Sequence, residues 1–111
     1  MWEHQRHGAV DIVAGETPLT LESSPALRDV LEGLVTHGQP QLVLDCRRIP
    51  LMDSAGLELL MDTRDRCVRR GGQIHLAAVN PLCLDILKVT QLARHFEVFG
   101  DSVAAAGSFA Q

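Results

Sequence analysis

Few residues of this 111-residue chain could do chemistry: Ser54 next to Asp53, three cysteines (Cys46, Cys67, Cys83) and five histidines (His4, His7, His37, His75, His95). A hydrolytic Ser54 would need a strained elbow of the G-x-S-x-G type and a histidine base. The local order, Met52-Asp53-Ser54-Ala55-Gly56, lacks the first glycine, and the histidines are scattered through a polar start, a helix end, a strand and a turn. No ligand spacing points to a metal, and nothing in the sequence supplies Asp53 with the nucleophile or metal partner of a general base. Catalysis is not expected, and no cofactor or metal is implied. What remains at Asp53-Ser54 is the start of a helix. There the hydroxyl serves as a cap, or as the neighbour of an Asp53 cap, and the unpaired N–H groups and positive dipole end tolerate an added phosphate. Gly56 would let another backbone come close.

The elements that must position this corner follow from hydrophobic periodicity. Residues 8–14, GAVDIVA, read as a strand with Val10, Ile12 and Ala14 on one face. Ser23 or Ser24 caps a helix with Pro25 in its first turn and Ala26, Leu27, Val30, Leu31 and Leu34 at helical spacing. Gln41 to Cys46 suits a buried central strand, and Leu57, Leu60, Met61, Arg64, Cys67 and Val68 recur near every 3.6 residues until Gly71-Gly72 stops the helix. Gln73 to Val79 is a further strand. Asn80-Pro81 opens the next helix, Phe96 to Phe99 is a last short strand, and Asp101 caps a final helix through Ala106. This alternation implies a single α/β domain with a mainly parallel sheet of four or five strands and about four helices. Residues 1–7 and 107–111 are expected to be flexible.

Composition narrows the partners. The net charge of -4 and pI near 5.6 oppose attraction to nucleic acid or anionic lipid. Arg64, Arg66, Arg69 and Arg70 are interrupted by Asp65 and read as a solvated helix face. Three cysteines without a C-x-x-C pair or a secretory signal suggest buried thiols in a reducing, cytoplasmic setting. Every apolar run is broken by a charge or a histidine, so membrane insertion is not expected.

The segment Leu42 to Leu60, LVLDCRRIPLMDSAGLELL, with Met52-Asp53-Ser54-Ala55-Gly56-Leu57 at its centre, resembles the signature of the STAS domain family of anti-sigma factor antagonists. GGQIHLAAVNP from Gly71, ILKVTQL from Ile86 and the FEVFGDSVAA ending resemble later parts of the same domain, in order and spacing, so that the resemblance covers about residues 9–106, the expected domain core. The resemblance implies a non-enzymatic switch. An anti-sigma factor that is also a serine kinase binds the unmodified protein and phosphorylates the motif serine, here Ser54, which releases it; a serine phosphatase reverses the step. Asp53, Ser54, Ala55, Gly56, Leu57 and Glu58, with the loop from Arg47, would form the docking surface. Thr20 stands where relatives carry an acid before the first helix, and Gln91 where many carry a glycine. The family's first strand is expected to be absent or shifted into residues 8–14.

Two rivals share parts of this pattern. A phosphorelay receiver would use Asp45 as phosphoacceptor but needs an acid pair after its first strand and a lysine after a late one, whereas the only lysine, Lys88, falls in a helix. A STAS subunit of a lipid-transport ATPase, or a scaffold of a stress-signalling complex, would have the same fold without a regulated serine. Oligomeric state, including a homodimer, is left open.

Overall fold

A computed structural model describes residues 1–110. Five strands, β1 (Trp2–His7), β2 (Val10–Gly15), β3 (Gln41–Asp45), β4 (Gln73–Ala77) and β5 (Val98–Phe99), form one sheet in sequence order. Strands β2 to β5 are parallel, and β1 is antiparallel to β2. Helices α1 (Ser24–Val35), α2 (Ser54–Arg69) and α3 (Pro81–Val89) make the crossovers, and α4 (Ser102–Gly107) follows β5. Right-handed crossovers between sequential strands put α1 to α3 on one face. Their apolar stripes join Val13, Leu42, Leu44, Ile74 and Leu76 in the main core. The opposite face carries a smaller cluster of Val10, Val43 and Ala77 under Ala105 of α4. The fold class read from the sequence is therefore correct, with a mixed sheet.

The ends differ from expectation. Trp2–His7, within the stretch read as a flexible start, form strand β1, and this strand precedes the one read at 8–14. Gly8, at φ 62°, makes the tight turn that leaves His7 opposite Val10. His4 Nε2 lies 2.7 Å from Asp11 Oδ1 and Arg6 Nη1 3.5 Å from Oδ2, which pairs the otherwise buried Asp11 carboxylate. Trp2 packs over Gly15, where any Cβ would lie 2.4 Å from the indole. At the other end, residues expected to fray are held: Ser108 to Ala110 form a 3-10 turn, and the Phe109 ring stacks on His75 with centroids 4.2 Å apart. The position of Gln111 lies outside the described residues. Phe96, read as strand, is buried in the core; only Val98 and Phe99 pair with β4 as residues of a strand.

Candidate functional site

Strand β3 ends at Asp45, and the chain must reach the start of α2 by Ser54. The intervening loop is pinned from below by three side chains it buries, Cys46, Ile49 and Met52, and from the side by Asn80, whose Nδ2 donates to the carbonyls of Ile49 and Pro50, each at 3.2 Å. Asn80 also caps α3 through Cys83 N at 2.8 Å, so one residue ties two loops at the carboxyl end of the sheet. Arg47, Arg48, Pro50 and Leu51 remain exposed, and Arg48 pairs with Glu16.

A second segment is laid against this loop. Leu19 N donates to Leu51 O at 2.9 Å and Asp53 N donates to Leu19 O at 3.1 Å, a parallel bridge between Leu19 and Met52. Leu19 is fully buried, and a Cβ at Gly56 would come within 2.3 Å of its carbonyl oxygen. The close backbone approach that Gly56 permits is therefore used inside the chain. Gly56 and Leu57 are both buried, so they support the expected docking surface from beneath and do not line it. Of the six residues assigned to that surface, Ser54 and Glu58 are exposed, while Asp53 and Ala55 are half-buried.

Asp53 is the N-cap of α2. Its Oδ1 accepts from Gly56 N at 3.0 Å and its Oδ2 from Leu21 N at 2.9 Å. The Gly56 bond, followed by that from Leu21, holds this carboxyl below the usual carboxylate range. Because Asp53 supplies the cap, Ser54 at the first helical position is not needed for it, and its hydroxyl has no hydrogen-bond partner among the described residues. A phosphate there would sit at a helix dipole's positive end, where an anion is favoured by about 0.3–1 kcal/mol.

The turn before α1 completes the surface. Of the two serines read as caps of α1, Ser23 holds the N-cap position but makes no side-chain cap bond; its Oγ donates to Pro18 O at 2.6 Å and accepts from Thr20 N at 3.0 Å, closing the turn, and Ser24 Oγ donates to Thr20 O at 2.5 Å. Thr20, in place of an acid, is half-buried in an open groove whose walls include Pro18, Glu22, Leu51 and Asp53. Two exposed apolar residues not singled out from the sequence adjoin Asp53: Leu21, 71% exposed, whose N–H bonds its carboxylate, and Leu51, 40% exposed, which lines the same groove. Their signal was available only as leucines left outside every helical stripe.

The remaining chemical groups gather nowhere. Cys46, Cys67 and Cys83 are buried and unpaired, and burial pushes their thiols up, Cys67 to about 11. Asp45 accepts from Arg47 N at 3.0 Å, and Lys88 lies on α3. No cluster of three or more metal-ligating side chains occurs among the described residues, and no helix among them is long and apolar enough to cross a membrane.

Comparison with known proteins gives a consistent picture. The family described as STAS domain matches residues 1–106. No curated protein matches the chain. Among solved structures, it is similar to an anti-sigma-factor antagonist (STAS) domain protein from Planctomyces limnophilus, at 18% identity and TM-score 0.89 over 99% of this chain and 98% of that one. An anti-sigma factor antagonist from Mycobacterium paratuberculosis is similar at 21% identity and TM-score 0.89, over 100% and 94%. A sulfate transporter family protein from Wolinella succinogenes is similar at 21% identity and TM-score 0.80, over 92% and 85%. At these identities the likeness is one of fold.

Proposed function

The chain belongs to the STAS domain family, and from that premise we propose that it is an anti-sigma factor antagonist switched at Ser54. In the unmodified state it binds an anti-sigma factor that is also a serine kinase, which frees a sigma factor for transcription. The kinase transfers the γ-phosphoryl of a nucleoside triphosphate to Ser54 Oγ; the bond to the β-phosphate breaks and the hydroxyl proton passes to the kinase. A serine phosphatase restores the hydroxyl. The chain itself catalyses nothing, acts in the cytoplasm and touches no DNA.

The observation that carries this reading is the division of labour at the start of α2. Asp53 does the capping, so Ser54 is exposed with an uncommitted hydroxyl. The partner-facing surface is Asp53, Ser54, Ala55 and Glu58 with the exposed part of the Arg47–Asp53 loop and the adjoining Leu21 and Leu51. Phosphorylation adds about -1.5 to -2 charge at its centre. A loss of about 4 kcal/mol of binding would weaken affinity roughly a thousandfold. The fold itself bears little cost, because the helix N-terminus favours the anion.

The test is intact-mass analysis of wild type and Ser54→Ala after incubation with ATP and each candidate anti-sigma kinase of the source organism. One added phosphate on wild type and none on Ser54→Ala is the expected result. Failure of every candidate on folded protein overturns it in favour of a subunit or scaffold role, which the fold likeness to a sulfate transporter family protein also accommodates. Copurification with a membrane ATPase would then identify that role.

A further inference from the structure

We propose that a phosphate on Ser54 is relayed through the Asp53 carboxylate to the Leu21–Glu22 turn, so that modification reshapes the adjoining surface as well as charging it. The inference rests on Ser54 being the phosphoacceptor. The Asp53 carboxylate is split between two backbones, Oδ1 on Gly56 N within its own helix and Oδ2 on Leu21 N, thirty-two residues away in the chain. Both bonds draw their strength from a full negative charge on that side chain. Neighbouring Cα atoms stand about 3.8 Å apart, so a phosphate on Ser54 lies well inside the screening length of about 8 Å. It repels the carboxylate and competes with it for the free N–H groups of the first turn.

The two holds respond unequally. Gly56 N sits inside α2 and is fixed by the helix. Leu21 N belongs to an exposed turn, and Asp53 Oδ2 is its hydrogen-bond partner. The rest of that turn is anchored without Asp53's side chain: Leu19 is buried and bonded through its backbone on both sides, and Ser23 Oγ bridges Pro18 and Thr20. The change is therefore confined to Leu21, 71% exposed, and its exposed neighbour Glu22. Leu21 is exposed and its backbone is bonded to Asp53, the residue before Ser54, so displacing it alters an apolar part of the surface that the unmodified protein presents.

Phosphoserine installed at position 54 by genetic encoding, with no kinase involved, separates this inference from the identity of the kinase. Amide hydrogen exchange and ¹⁵N–¹H spectra are recorded for the unmodified and phosphorylated chains, each also carrying Asp53→Asn, which keeps a capping oxygen but no charge. In the Asp53 background, phosphate should speed exchange at Leu21 at least tenfold and shift its amide resonance upfield, with Leu19 unchanged. In the Asp53→Asn background the phosphate-dependent change at Leu21 should vanish. A Leu21 amide indifferent to phosphate, or a response that survives Asp53→Asn, overturns the relay. A kinase screen that labels no serine would instead remove the functional reading on which it rests.

Discussion

Replacing Gly56 by alanine adds a single methyl group at a place where the structure has no room for one. The new Cβ would fall 2.3 Å from the Leu19 carbonyl oxygen, 2.7 Å from Leu19 Cγ and 3.0 Å from the Leu19 carbonyl carbon. Two of these three contacts are with backbone, which cannot swing aside as a flexible side chain would. The Leu19 segment must retreat, and with it the bonds from Leu19 N to Leu51 O and from Asp53 N to Leu19 O. Overpacking of this kind costs about 1–3 kcal/mol, and weakening two backbone hydrogen bonds adds up to about 1 kcal/mol each. Alanine recovers about 1 kcal/mol through its helix propensity. The balance is a destabilisation of roughly 2–3 kcal/mol, equivalent to a fall in Tm on the order of 10 °C for a chain of this size. Gly33 is the internal control: it lies exposed in α1 with nothing within 4 Å of its ideal Cβ. Gly33→Ala should stabilise by about 0.5–1 kcal/mol. Urea unfolding of both variants and wild type reads the two signs side by side. A Gly56→Ala protein as stable as wild type would refute the claim that Leu19 occupies this space rigidly. The same clash means that Gly56→Arg, an obvious way to probe docking at this surface, would report on folding; Glu58 is the better position for that purpose.

Other consequences are open to measurement. Gln91 adopts φ 64° just past α3, with Gln91 N bonded to Lys88 O and Leu92 N to Leu87 O, and Gly71 takes the corresponding place after α2 at φ 81° with the same pair of bonds. A glycine avoids the left-handed penalty, so Gln91→Gly should stabilise by about 1 kcal/mol in the same urea assay; no gain would mean that the glutamine side chain supplies a compensating contact. His75 is held below the usual histidine range by burial, against the opposing pull of Glu97. Because the unfolded chain then takes up the proton more readily, this group's contribution to stability is complete above about pH 6.5 and is lost as the pH falls below it. Deleting residues 108–111 removes the Phe109 ring and the Ser108 hydroxyl, 2.8 Å from His75 Nδ1, and should raise the His75 titration toward the ordinary value by NMR. An unmoved titration would show that the tail does not cause the burial.

The alternation of apolar stripes carried the parallel strands and the helices, because each buries a face whose period is written in the residues themselves. Asp53, Asn80 and Asp101 were legible as helix starts for the same reason: a short oxygen-bearing side chain before an apolar stripe satisfies N–H groups that the helix leaves open. Strand β1 was not legible. Its residues are nearly all polar, and they are ordered by partners across the hairpin that a pattern of apolar residues does not reveal, Asp11 for His4 and Arg6, and Gly15 for Trp2. The tail failed similarly, since Phe109 gains its place only once β4 presents His75. At the site, Ser54 and Asp53 could be located from the sequence, but the roles of Leu19 and Leu21 could not. Both depend on a contact between two loops that no local pattern records.

Strand order in this sheet is chain order, and that has a bearing on how the protein is made. Each strand leaving the ribosome meets an edge already formed by the strand synthesised just before it, first through a two-residue hairpin and then through three helical crossovers. No strand has to be inserted between two others, and no earlier pairing has to open to admit a later one. Growth of the sheet can therefore keep pace with synthesis, one edge at a time. The Ser54 corner is emitted near the middle of this process, when Leu19 is already waiting to receive it. Final closure falls to β5, α4 and Phe109, which cover the second face last.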